Sequence, residues 1–288
     1  MKNILFYGGS SLLSNLLSQY WKNQYNIYLG LNRKWIEIPG TQSIQLNHNK
    51  IKDLETIIID NKIDVIINLS GYTNVEDCEI NHDLAYYLNG YLPGELSKVS
   101  SKLNTKLVHI STDHIFDGND QFYSEESHPK PLNIYAKSKL LGEKEVLKNN
   151  KEAIVIRTNF FGNGPSYRPS FSDKIISYLN INKQIELFDD VYYSPVHAYE
   201  LADCIFKLIK INAQGVFNIC SSERVSKYEF GLMIANYMNK SEDLIKPIKI
   251  ASKKELVIRP KDMSLSNKKY EKLSKVKIDN LSNQLKHL

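Results

Sequence analysis

The feature that most constrains the fold is an alternation. Short apolar runs end in glycine, serine or asparagine, and each is followed by residues of helical period. Ile4-Leu-Phe-Tyr7 stops at Gly8-Gly9-Ser10-Ser11, after which Leu12, Leu13, Leu16, Leu17 and Tyr20 recur on one helix face. Further strands are read at Asn26–Leu31, Asp64–Leu69, Lys106–Ile110 and Ala153–Arg157, with helical stretches over 51–60, about 83–103 and around Tyr135. Strands separated by helices pair in parallel through right-handed crossovers. The expected class is α/β, a Rossmann-type doubly wound parallel sheet. From Asn163 the pattern changes, with breaks at Gly164-Pro165 and Arg168-Pro169. Helices at about 172–180, 198–211 and from near Ser226, with the stretches 184–188 and 216–219, predict a smaller C-terminal α/β lobe, and ligand sites favour the interface of two such parts. The nucleotide-binding domain is then 1–165 with returning segments at about 191–222. The substrate lobe is about 166–190 and 223–288.

Composition bears on partners and compartment. The net charge of +5 is spread over scattered lysines, which argues against a nucleic-acid partner. Cys78, Cys204 and Cys220 show no metal-ligand or redox-pair spacing, so packed free thiols and no metal are expected. The N-terminus meets glycine too early for a signal peptide, and no apolar run approaches the roughly 18 residues of a membrane span. The expected location is cytoplasmic, with no membrane partner.

Open parallel sheets bind ligands at the carboxyl ends of their strands. The Gly8–Ser11 turn opening a helix suits a pyrophosphate, although Ser11 and Ser14 stand where a glycine-rich loop has its second and third glycines. Arg33 and Lys34 follow the second strand, where arginine accommodates a 2′-phosphate and an acid would grip a ribose; NADP(H) is favoured, with NAD(H) as the alternative. Ser70-Gly71-Tyr72-Thr73 and Ser111-Thr112-Asp113-His114 close two further strands. His109, within its strand, reads as a core histidine. In a helix Tyr135 and Lys139 share a face, and an ammonium beside a phenol lowers its pKa, as protonation of a carbonyl oxygen requires. About two such pairs arise by chance in a chain this rich in tyrosine and lysine, so the spacing decides nothing alone.

Ser111-Thr112-Asp113 followed by Tyr135-x-x-x-Lys139 resembles the extended short-chain dehydrogenase/reductases, and most closely the dTDP-4-dehydrorhamnose reductase family. Supporting pieces run along the chain: Gly71–Glu79, Asn89, Pro131–Tyr135, Ser138–Glu143, Ile156–Thr158, Ser194–Val196, Val225–Phe230, and Arg259-Pro260. The resemblance implies that Tyr135 donates a proton, that Lys139 supports it and bonds the nicotinamide ribose, and that Thr112 bonds the sugar carbonyl beside Asp113. It implies that Ser11, Leu12 and Leu13 line the pyrophosphate, with Ser70, Gly71, Tyr72 and Thr73 on the nicotinamide side and Gly8 and Ser10 in the same turn. Phe160 stands where the family has a tryptophan near the base, and Arg259 would face a substrate phosphate. The implied activity is NAD(P)H-dependent reduction of the C4 carbonyl of a nucleotide-linked 4-keto-6-deoxy sugar, in deoxysugar and polysaccharide biosynthesis. The nucleotide sugar is the expected partner, and a homodimer is left open. Two alternatives stand beside this: an epimerase or dehydratase holding NAD tightly, and a non-catalytic nucleotide-binding regulatory subunit.

Overall fold

The computed structural model of the chain describes residues 1–47 and 51–288. Its elements in order are β1 (Asn3–Tyr7), α1 (Leu12–Trp21), β2 (Asn26–Leu31), β3 (Thr41–Gln45), α2 (Ile51–Asp60), β4 (Val65–Asn68), α3 (Val75–Ile80), α4 (His82–Tyr86) and α5 (Leu92–Lys102). There follow β5 (Lys106–Ile110), α6 (Ile134–Asn149), β6 (Ile154–Arg157), β7 (Phe160–Phe161), α7 (Phe171–Asn180), β8 (Ile185–Phe188), β9 (Tyr192–Tyr193), β10 (Val196–His197) and α8 (Ala198–Lys210). The chain ends with β11 (Gly215–Asn218), β12 (Val225–Ser226), α9 (Lys227–Tyr237), β13 (Ile245–Ile248), α10 (Lys268–Ser274) and α11 (Leu281–Gln284).

Seven strands form one sheet in the order β11-β6-β5-β4-β1-β2-β3, with parallel pairing throughout. Side chains alternate faces along each strand. Ile4 and Phe6, Val65 and Ile67, and Ile154 and Ile156 therefore pack with Leu13, Leu17, Leu201 and Ile205 of α1 and α8. Leu5, Ile66 and Val155 point the other way, onto Leu54, Leu96 and Val146 of α2, α5 and α6. Strands buried on both faces read as unbroken apolar runs, which is why most of them stand out in the sequence. β3 does not. Its Thr-Gln-Ser-Ile-Gln lies at the sheet edge, half exposed, and the sequence reading passed over it.

A second apolar core joins Ile175 and Leu179 of α7, Ile185 and Leu187 of β8, Phe230 and Ile234 of α9, and Leu281 and Leu285 near the C-terminus. The parallel pair β8–β13 lies in this part. Tyr270 and Ile278 turn back onto the first core.

The helical stretch read over 83–103 is interrupted. Residues Tyr87–Tyr91 form a π-helical turn between α4 and α5. Gly142 of α6 packs against this turn so closely that a Cβ there would lie 2.1 Å from the Asn89 carbonyl oxygen. The turn aims the Asn89 side chain outward: its Oδ1 accepts from Tyr72 N at 2.7 Å, while its Nδ2 donates to Tyr72 O at 2.9 Å and Ser138 Oγ at 3.0 Å. Isolated π turns often mark such functional positions. Here one asparagine fixes the loop after β4 to the helix that carries Tyr135.

Candidate active site

β1 and β4 are neighbours, while the chain leaves β1 for β2 on its other side. This is the place where strand order reverses and a crevice opens beyond the carboxyl ends. A cavity of about 540 Å³ occupies it, running from the N-terminus of α1 to Tyr135 and Lys139. Gly8, Ser10, Ser11, Leu12 and Leu13 line one end, Ser70, Gly71 and Thr73 the middle, and Thr112, Asp113, Tyr135, Lys139 and Phe160 the rest. Residues that are distant in sequence therefore share one space.

The turn after β1 explains the two serines. Gly8 has φ of +90°, and a Cβ there would meet Ser70 N at 2.7 Å, so glycine is required. Ser11 is extended (φ −70°, ψ 160°) and caps α1, its hydroxyl accepting from Ser14 N at 3.1 Å. Position 11 therefore has no conformational need for glycine. Ser14 is buried, and its hydroxyl finds no partner among the described residues. The first N–H groups of a helix lack intrahelical acceptors, and the first turn of α1 carries no carboxylate. Those groups, facing the cavity beside Ser10 and Ser11, fit a pyrophosphate.

Asn133 caps α6, accepting from Ala136 N at 2.9 Å, which sets Tyr135 in the first turn under the β5 end. The phenol is 9% exposed and lies within hydrogen-bonding reach of the Thr112 hydroxyl. His114 packs edge-on to its ring at 5.7 Å between centroids. Lys139, 4% exposed, donates to Ile110 O at 2.7 Å. Asp113 is fixed by Asn159 Nδ2 at 2.9 Å and Thr112 Oγ1 at 3.2 Å.

The expected lowering of the Tyr135 pKa is corrected by this geometry. Burial pushes it up to about 12, the Thr112 hydrogen bond opposing and Asp113 adding to the rise. Lys139 moves the other way, down to about 8, because burial outweighs the opposing charge of Glu143. Its ammonium is committed to the Ile110 carbonyl. Desolvation outweighs charge here because both groups lie under the sheet edge.

A pH dependence follows. The ordinary lysine value is 10.5 and the folded value about 8, so the fold opposes the ammonium fully below pH 8. The penalty is relieved between about pH 8 and 10.5, where the unfolded chain still holds its proton. At about 1.4 kcal/mol per pKa unit the upper bound is roughly 3 kcal/mol. The Lys139→Met variant is expected to be more stable than wild type at pH 7 by up to that amount and so to melt higher, with the difference shrinking toward pH 10. Thermal unfolding across this range measures it, and a variant that melts lower at pH 7 refutes it.

Four expected residues lie elsewhere. Tyr72 packs with Val75, Cys78 and Tyr135 beside the cavity rather than lining it. Arg33 is exposed, and Lys34 Nζ sits 3.6 Å over the Tyr167 ring. Arg259 is ion-paired with Glu76 and lines a second cavity of about 810 Å³, which His114 joins to the first. The sequence reading missed Asn159 and Arg168 in the first cavity and Lys227 in the second. Asn159 follows a strand end, a signal that was available. His109 is buried in the core, paired with Asn68 at 3.0 Å, as expected.

The family model for the RmlD substrate binding domain matches residues 1–288. The chain belongs to this family. Proteins similar to it include the probable low-salt glycan biosynthesis reductase Agl14 of Haloferax volcanii, 30% identical over 88% of this chain and 86% of that protein. The methionine adenosyltransferase 2 subunit beta of Bos taurus is 30% identical over 86% of this chain and 75% of its own length. A hypothetical dTDP-4-dehydrorhamnose reductase from Sulfolobus tokodaii superposes with a TM-score of 0.82 at 31% identity, covering 95% of this chain and 94% of that one. The dTDP-4-dehydrorhamnose reductase of Bacillus anthracis in complex with NADP gives a TM-score of 0.87 over 99% and 98% of the two chains; at 24% identity the likeness is one of fold. Within the family fold, no helix of the described residues is long and apolar enough to cross a membrane, and they hold no cluster of metal-ligating side chains.

Proposed function

We propose that this chain is an NAD(P)H-dependent reductase acting on the C4 carbonyl of a nucleotide-linked 4-keto-6-deoxy sugar. The observation that carries the reading is the convergence of Thr112, Tyr135 and Lys139 at one end of the cavity that opens at the α1 N-terminus. The bound nicotinamide supplies the hydride. The α1 N-terminus with Ser10 and Ser11 would hold its pyrophosphate, Ser70 and Gly71 would border the nicotinamide, and Lys139 would bond the adjoining ribose. Arg33 and Lys34 favour the 2′-phosphate of NADP(H), with NAD(H) as the alternative.

The chain's own part is proton management. A phenol held at about 12 keeps its proton at neutral pH, so Tyr135 is an acid in waiting that gives up its proton only as negative charge develops on the substrate oxygen. The Thr112 hydroxyl, beside that phenol, orients the same oxygen. The Lys139 ammonium stabilises the phenolate left behind once a ligand draws it from the Ile110 carbonyl. The lobe that takes the nucleotide sugar is built on α7, β8, α9 and β13, with Asp113 and Phe160 lining the cavity beside it; within 223–288, Tyr270 and Ile278 belong instead to the first core, and Val191 and Tyr193 of the returning segment to the second.

The test is NADPH consumption, with product identification by mass and NMR, across a panel of 4-keto sugar nucleotides. Turnover of none, with NADPH bound, would reject the reading. A non-catalytic nucleotide-binding subunit is the second reading, favoured by the similarity to methionine adenosyltransferase 2 subunit beta; binding without turnover is its signature.

A further inference from the structure

Lys227 is the first residue of α9, and the sequence reading gave it no role. Ser226 and Glu229 close a capping box around it, and its own N–H donates to Val191 O at 3.0 Å, so its backbone is fixed. The ammonium lies 3.1 Å over the Tyr193 ring and 5.0 Å from that of Phe171. It makes no salt bridge among the described residues. Among its cationic neighbours in the second cavity, Arg259 is tied to Glu76 and Lys253 to Glu186 at 3.0 Å, while Lys174 and Lys246, also without a salt bridge among the described residues, are exposed to solvent. Asp113 is close enough to act on Lys227 through charge, but its oxygens are already taken by Asn159 and Thr112. Burial wins, and the Lys227 pKa falls to about 7. A half-buried cation between aromatic rings with no carboxylate of its own gains most from an anion brought by a ligand.

Position says which anion. A carbonyl at Thr112 and Tyr135 lies in the first cavity, and His114 lines both cavities. A ligand reaching from that carbonyl past His114 enters the cavity that Lys227 lines, and in a nucleotide sugar the group beyond the sugar ring is the diphosphate. We propose that Lys227 is a specificity-determining residue that grips the sugar-proximal phosphate of the substrate, so that free keto sugars are refused. The placement of the carbonyl rests on the reductase reading above.

Binding tests the proposal independently of turnover. UDP-glucose and dTDP-glucose carry the diphosphate but no ketone, and calorimetry measures their affinity in the presence of saturating NADPH. Lys227→Met is expected to weaken the better probe by roughly 10- to 100-fold, the range for loss of a charged hydrogen bond, with NADPH affinity unchanged. Lys227→Arg is expected to retain most of the affinity. Wild-type affinity should decline between pH 7 and 9, and that of Lys227→Arg should stay flat, because a guanidinium does not titrate there. The other charged or titratable groups facing Lys227 are Asp113, His114, Arg259 and Tyr193, and all are common to the three proteins compared.

A loss below threefold in Lys227→Met, an equal loss of NADPH affinity, or wild-type protein that binds neither probe overturns the proposal. Lys227→Arg falling as far as Lys227→Met, with a lowered melting temperature, marks a structural role and also overturns it. The reductase reading fails separately, if wild type binds the probes yet reduces no 4-keto sugar nucleotide.

Discussion

Replacing Tyr135 by phenylalanine is expected to lower turnover of a 4-keto sugar nucleotide by about 100- to 10,000-fold, the usual worth of a positioned general acid. The ring is buried against Val75, Cys78 and Ala85, so Phe keeps the packing and removes only the hydroxyl. The proton beside Thr112 is then lost, while the α1 turn that would hold the cofactor is untouched. The loss should therefore fall on kcat, with NADPH affinity within about twofold of wild type. Steady-state consumption and a fluorescence titration of NADPH separate the two. Equal turnover in the variant would remove Tyr135 from the chemistry, and equal weakening of NADPH would make it a structural residue.

Much of this site was legible because its residues stand where strands end. Ser70, Thr112 and Phe160 follow apolar runs, and a parallel sheet brings strand ends to one edge whatever the intervening length. Helical spacing put Tyr135 and Lys139 on one face, and the Ser111-Thr112-Asp113 strand end upstream singled that pair out. The direction of the tyrosine's pKa was not legible, since it depends on how much sheet covers the ring and on where the lysine's ammonium is drawn. Spacing puts Lys139 on the same face as Tyr135. The structure commits its ammonium to Ile110 O. β3 was missed because an edge strand need not be apolar, and the π turn at Tyr87–Tyr91 because its cause, the close approach of Gly142 to Asn89, lies far away in sequence. Lys227 looked like any helix-start lysine. Only the fold shows that it lies over Tyr193 in the second cavity.

The largest stability effect is expected at a pair the sequence did not announce. Arg157 ends β6 and Glu143 lies on α6, one turn beyond Lys139; their side chains are 5% and 3% exposed. Arg157 Nη2 reaches Glu143 Oε2 at 2.7 Å, and Nε lies 3.1 Å from both carboxylate oxygens. The Ser111 hydroxyl donates to the same carboxylate, and Phe116 lies under the guanidinium at 5.5 Å. Arg157→Leu leaves Glu143 buried without its cation, which typically costs about 3–5 kcal/mol. Glu143→Leu strands the arginine at similar cost. The double variant should recover most of the loss, because a buried pair replaced by apolar residues is often close to neutral. Urea unfolding of the four proteins completes the cycle, and additive losses would show that the pair does not act as a unit. The damage should also reach function: Ser111 adjoins Thr112, and α6 carries Tyr135, so Arg157→Leu loosens both partners of the substrate oxygen together. A double variant that regains stability but not turnover would show that this ion pair serves to hold the acid and the threonine in register more than to hold the fold.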